Sequence, residues 1–273
     1  MKRFLLSVLF VILSILLVGC SNTDEPENSQ GTDQQTPEAD KQPAEEVELL
    51  ISAAASLTDA LEDLKGTFEE QHEGVTLTYN FGSSGKLATN IENGAPSDVF
   101  LSASSKDMND MEEKELIVNE SRKDFTSNVL VLIAHKDSNM EVSSFEEIDP
   151  ATVDHFAVGE PESVPVGRYT KETLENLELW EPLQDKLVLG SDVRQVLTYV
   201  EMGNADLGVV YSSDAFISDD VKVLAESNPE WHAPIVYPGA VVKDSKHKEA
   251  AQQFLDYLTS DTGTEALQKF GFK

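Results

Sequence analysis

From residue 47 onward the chain alternates apolar runs with stretches whose apolar residues recur at helical spacing. VELLISAAAS (47–56) is almost continuously apolar, the pattern of a strand buried on both faces of a parallel sheet. Leu57, Ala60, Leu61, Leu64 and Phe68 then fall on one face of a helix that Gly74 ends. VTLTYNF (75–81) predicts a second strand and 86–92 a second helix. NGAPSD reads as a loop, VFLSA (99–103) as a third strand and 106–114 as a third helix. NVLVLIA (128–134) is a strand long and apolar enough to run between lobes, and FAVGEP (156–161) is another. A helix starts near Pro165, and 191–201 forms a further one with Val193, Val196, Leu197 and Val200 on its apolar face. ADLGVVYSSDA (205–215) predicts a strand followed by a turn. IVYPGAVVK (235–243) carries the chain back, and helices over 246–258 and 263–270 close it. Strand–helix alternation of this kind predicts an α/β protein with doubly wound sheets. The expected division is lobe 1 from 47–127 and 237–273, and lobe 2 from 128–236. Two crossings then make a hinge beside a cleft. Ligands of open α/β sheets lie beyond the carboxyl ends of strands, so the strand-to-helix junctions are the places to look.

The segment ahead of this pattern has another character. Lys2 and Arg3 precede a nearly unbroken apolar run over 4–18, which is short for a membrane span and ends in small residues. It reads as an export signal over 1–19. Its end, Leu-Val-Gly-Cys, resembles the lipobox of bacterial lipoproteins. That resemblance implies a lipidated Cys20 as the new N-terminus and an extracytoplasmic protein anchored to the cell membrane. Cys20 is the only cysteine, so an intramolecular disulfide is excluded. Residues 20–46 lack aromatics and are rich in Pro, Gln, Asp and Glu, the composition of a disordered acidic tether. As a random coil its roughly 27 residues span about 30 Å.

Charge narrows the partners. Fifty acidic against 20 basic residues give a net charge of −30, and removal of Lys2 and Arg3 takes it to −32. Such a surface argues against nucleic acid and against electrostatic steering of anions. Any anion bound here has to be held by local dipoles against the overall field.

Two junctions carry candidate chemistry. In AAASLTD, Ser56 stands where an N-cap belongs and Asp59 follows three residues later, as in a capping box. In FGSSGKL (81–87), Gly82 and Gly85 are too close for a phosphate loop, and Leu87 replaces its hydroxyl residue. A nucleophile elbow centred on Ser84 needs glycine at 86, which is lysine. An anion cradle needs only free N–H groups at a helix start, a flexible glycine backbone and a hydroxyl donor, and the stretch supplies them. His72, His135, His155, His232 and His247 stand away from the junctions, and no cluster of His and Cys or HExxH suggests a metal-cation site.

AAASLTDAL, NFGSSGKLATNIENGAPSDVFLSA, FAVGEPESVPVGRYTKETL, SDVRQVLTYVEMGNADLGVVYSSDA and the terminal FGF together resemble the molybdate-binding proteins of ABC importers. The resemblance runs in order through essentially all of 47–273. It implies a two-lobed, periplasmic-binding-protein-like fold of type II whose lobes close on the ligand and dock on a membrane permease. It also implies a monomeric receptor rather than an enzyme, with no cofactor beyond its cargo, molybdate or tungstate. Carried onto this chain, the ligand set is the hydroxyls of Ser56 and Ser84, the backbone N–H groups of Val166 and Val193, and Tyr211. Molybdenum would be held as its oxyanion, with no direct ligand to a metal cation. Val166 replaces a residue that is often alanine in relatives, and Gly85 stands where some have serine. Sulfate is the neighbouring alternative ligand, and a serine hydrolase the remote one.

Overall fold

A computed structural model describes residues 46–273. The export signal, Cys20 and the tether up to residue 45 lie outside the described residues. The chain runs β1 (Val47–Ala54), α1 (Thr58–Gln71), β2 (Val75–Gly82), α2 (Ser84–Glu92), β3 (Val99–Leu101), α3 (Ser105–Glu113), β4 (Lys123–Ser127) and β5 (Leu130–His135). It continues through β6 (Phe156–Gly159), α4 (Pro165–Asn176), α5 (Trp180–Leu183), β7 (Leu187–Gly190), α6 (Val193–Glu201) and β8 (Leu207–Tyr211). Then follow α7 (Ser212–Phe216), β9 (Val221–Glu226), β10 (Val236–Val241), α8 (Lys248–Leu258) and α9 (Asp261–Lys269).

The strands form two five-stranded mixed sheets, ordered β2-β1-β3-β10-β4 and β7-β6-β8-β5-β9. In the first, β1 pairs in parallel with β2 and β3, and β10 returns antiparallel against β3 and β4. In the second, β6 pairs in parallel with β7 and β8, while β5 is antiparallel to β8 and β9. Alternation along β3 shows why both faces of the first sheet are covered. Phe100 packs with Leu87, Ile91, Met108 and Met111 of α2 and α3. Its neighbours Val99 and Leu101 join the larger core that holds α1, α8 and α9. The two-lobed α/β architecture is the one expected.

The three unexpected strands share one cause. β4, β7 and β9 had no counterpart in the apolar pattern, and each is a sheet edge. β9 buries only Ala225, and β4 only Phe125. An edge strand is covered on one side only, so it needs no continuous apolar run. The strand expected over 128–134 is β5 alone, which begins at Leu130 in the second sheet and does not run between lobes; β4 ends at Ser127 in the first sheet, and Asn128 and Val129 make the crossing. The turn after β8 is the short helix α7, and the strand expected over 99–103 stops at Leu101. At the start of α4 the helix presses hard on β6. A Cβ on Gly167 would come 2.0 Å from the Gly159 carbonyl oxygen, so only glycine permits that approach.

Candidate functional site

The carboxyl ends of β1, β2, β6, β7 and β8 point to one place. There the 3-10 turn ahead of α1 and the first turns of α2, α4 and α6 surround a small cavity with room for about 10 Å³. Ser56, Ser84, Val166, Val193 and Tyr211 all line it, together with small residues such as Ala54, Ala55, Gly82 and Ala103. All five are buried, although they come from positions spread over the whole chain. Pockets for organic ligands run to about 300–1,000 Å³. This one is far too small for such a molecule and leaves a small ion as the fitting guest.

Four of the five expected ligand groups are donors by local construction. Val166 is the second residue of α4 and Val193 the first of α6, positions whose N–H groups have no acceptor within the helix. Ser84 opens α2, and its Oγ accepts the Ala103 N–H at 3.0 Å, which leaves its own hydrogen for the cavity. Tyr211 ends β8, and its hydroxyl is buried with no partner among the described residues. Burial pushes this phenol well above its usual pKa, so it keeps its proton and donates. The only charged lining residue is Asp192. Its carboxylate accepts the Gln195 N–H as the cap of α6 and the Ser191 hydroxyl at 3.3 Å. No histidine lines the cavity, so Ser84 has no general base beside it there.

The capping box expected at Ser56 and Asp59 does not form. Ala55–Leu57 make a turn of 3-10 helix, Leu57 occupies the N-cap of α1, and no side chain caps it. The Ser56 hydroxyl instead meets the Tyr237 phenol at 2.9 Å, and Asp59 meets Arg194. At α2 the cap is Ser83, whose Oγ accepts the Lys86 N–H at 3.3 Å. Lys86 does not line the cavity. Its ammonium donates to the Ser191 carbonyl at 3.1 Å.

The lobes are closed on each other, and the contacts that hold them so escaped the sequence reading. Ser83 Oγ donates to the Ser163 carbonyl at 3.0 Å and Gly85 N–H to the same oxygen at 3.1 Å. Arg168 on α4 pairs with Asp107 on α3. Arg194 on α6 lies 2.6 Å from Asp59 on α1 and 2.8 Å from Asp214 on α7. The Asp59 and Asp214 contacts are charge pairs whose angles fall outside hydrogen-bond geometry. Both arginines sit one or two residues beyond an amide lining the cavity, within VGRY and SDVRQ. Their sequence signal was present, but their partners lie far along the chain.

Asp214 is fully buried, and desolvation pushes its carboxyl from 3.8 up to about 6 against the opposing pull of Arg194. A raised carboxyl binds its proton more tightly in the folded chain than in the unfolded one. Its stabilising contribution is therefore complete below about pH 4 and is lost as pH rises through about 6. We expect the stability difference between wild type and Asp214→Asn to shift against wild type across that interval, read from urea midpoints at a series of pH values. A difference that stays flat from pH 4 to 7 contradicts the assignment.

A two-lobed α/β fold closed on a small cavity of donors defines a receptor for a small solute. Residues 49–273 match the family model of the bacterial extracellular solute-binding proteins, and the chain belongs to that family. It is 39% identical over 271 residues to YvgL of Bacillus subtilis, assigned as an ABC transporter substrate-binding lipoprotein, covering 99% of this chain and 98% of that one. It is 38% identical over 232 residues to the molybdate-binding protein ModA of Haemophilus influenzae, covering 84% of this chain and 91% of that one. Among solved structures, a substrate-binding domain assigned to a molybdenum ABC transporter of Clostridium difficile is 44% identical with a TM-score of 0.64, covering 83% and 98%. The periplasmic molybdate-binding protein of Azotobacter vinelandii superposes with a TM-score of 0.74 at 25% identity, covering 82% and 98%. The sulfate-binding protein SubI of Mycobacterium tuberculosis, at 14% identity and a TM-score of 0.72, shares the fold.

Proposed function

We propose that this chain captures molybdate as a bare tetrahedral dianion outside the cytoplasm and delivers it to the permease of an ABC importer. The observation that carries this reading is the cavity itself, where two serine hydroxyls, two helix-start amides and the Tyr211 hydroxyl, which has no partner among the described residues, converge. Burying a dianion is very costly unless its oxygens are hydrogen-bonded, and neutral donors at helix starts supply those bonds without a fixed countercharge. Each bond to a charged acceptor contributes about 1.5–3 kcal/mol. Five of them hold a dianion on a protein of net charge −30. The names of the relatives, ModA above all, support molybdate as the cargo. Tungstate has nearly the same size and charge and should bind as well. Cys20 would carry the lipid that holds the receptor at the membrane, as the name of YvgL supports.

Isothermal titration decides the ligand. Sodium molybdate should give a saturable heat at one site per chain, and sulfate much less. A strong signal with sulfate and none with molybdate would overturn the assignment in favour of a sulfate receptor.

A further inference from the structure

Behind Ser56 lies a row of buried polar groups that the ligand set does not include. Tyr237 on β10 is completely buried, and its hydroxyl is 2.9 Å from Ser56 Oγ. Asn128, on the outgoing crossing, donates from Nδ2 to the Tyr237 oxygen at 3.4 Å and to Ser213 Oγ at 2.8 Å. Its Oδ1 accepts the Val129 N–H at 2.9 Å and the Ser212 hydroxyl at 2.9 Å. Asn128 also donates its backbone N–H to Ile235, at the start of the return crossing. The row therefore ties lobe 2, both hinge segments and the first ligand serine together.

Its direction follows from one fixed donor. A backbone N–H only donates, so the end of the Asn128 amide that meets Val129 is the oxygen. The other end is the NH₂ group, and it faces Tyr237. The Tyr237 oxygen then receives a hydrogen bond, and its own hydrogen goes to Ser56 Oγ. Ser56 accepts there, and its hydrogen is left for the cavity it lines. We infer that Tyr237 and Asn128 are positioning residues that fix the Ser56 hydroxyl as a donor, so that the hinge itself selects an anion carrying no proton. Burial keeps the phenol protonated, which preserves this polarity over the working pH range. Ser84 has the same polarity by a shorter route, because Ala103 N–H occupies its oxygen. An oxyanion bearing a hydroxyl needs an acceptor, and neither serine is turned to offer one.

This inference rests on the oxyanion reading, and the experiment separates the two. Affinities for sodium molybdate and inorganic phosphate are measured by titration at a mildly alkaline pH, where phosphate is chiefly the hydrogen phosphate dianion. Both probes then carry the same charge, and only one carries a proton. Tyr237→Phe should weaken molybdate about fivefold, the effect of one neutral hydrogen bond, and narrow the preference over hydrogen phosphate by a similar factor. In a Ser56→Ala background the same change should have no further effect, because its route runs through Ser56. Asn128→Asp is the second variant: a carboxylate accepts the Tyr237 hydrogen, withdraws it from Ser56 and should narrow the same preference. Equal losses for both anions, or an undiminished effect of Tyr237→Phe without Ser56, would show a merely structural role and overturn the inference. A wild-type chain that binds neither of these anions nor sulfate overturns the oxyanion reading with it.

Discussion

Gly85→Ala is expected to lower oxyanion affinity by at least about a hundredfold while leaving the ligand-free chain as stable as wild type or slightly more so. Gly85 lies in the first turn of α2, where the first lobe meets the second. A Cβ there would stand 2.5 Å from the Ser163 carbonyl oxygen and 3.1 Å from its carbonyl carbon and Cα. These are backbone atoms just ahead of α4, so no side chain can swing away to relieve the overlap. The same glycine donates its N–H to that carbonyl, which is how closely the lobes approach. With the lobes apart, nothing opposes alanine, and alanine favours a helix by up to about 1 kcal/mol over glycine. The cost therefore falls on closure alone. Closure brings the Val166 and Val193 amides and Tyr211 to an anion already resting on Ser56 and Ser84. Without it, three of the five bonds are lost. Small-angle scattering supplies the second readout, since wild type should compact on adding molybdate and Gly85→Ala should not. Normal affinity with normal compaction would mean that the lobes do not meet at Gly85 in the bound state.

Tyr211→Phe should weaken molybdate by about tenfold to a hundredfold, the loss of one bond to a charged acceptor at about 1.5–3 kcal/mol. The sign of the accompanying stability change is the sharper test. Phenylalanine keeps the ring that packs edge-on against Tyr237 at 6.0 Å between centroids. It removes only a buried hydroxyl that has no acceptor among the described residues. With the lobes apart the hydroxyl faces the cleft and its removal breaks no contact within the chain, so the ligand-free variant should melt no lower than wild type. A donor that served the fold would give the opposite pair of results, with affinity unchanged and melting temperature reduced. Calorimetry of both forms, with and without molybdate, distinguishes them.

Much of the fold was legible in the apolar pattern because buried strands and one-faced helices write their environment into consecutive residues. β1, with Leu49, Ile51, Ala53 and Ala54 buried, could hardly be anything else. β4, β7 and β9 were not legible, because a sheet edge asks little of its side chains. The FGSSGKL junction was readable as a donor-rich helix start, although the helix begins at Ser84, two residues ahead of the expected 86. The AAASLTD junction was misread: its serine and aspartate matched a capping pattern by spacing, yet both are engaged elsewhere. Local spacing describes what a residue can do within one turn, and it is silent about a stronger partner arriving from another element.

The sequence by itself determined the kind of chemistry available. Helix starts expose N–H groups, Ser84 opens a helix and Tyr211 ends a strand, and these properties belong to a few neighbouring residues wherever the chain goes. Only the tertiary structure decided which way the donors point and when they meet. Ser56 faces Tyr237 across 181 positions and Arg194 reaches the Ser56 carbonyl across 138, contacts created by the return of β10 and the closing of the lobes. Hydrogen-bond direction depends on both partners, and here the second partner is supplied by the fold.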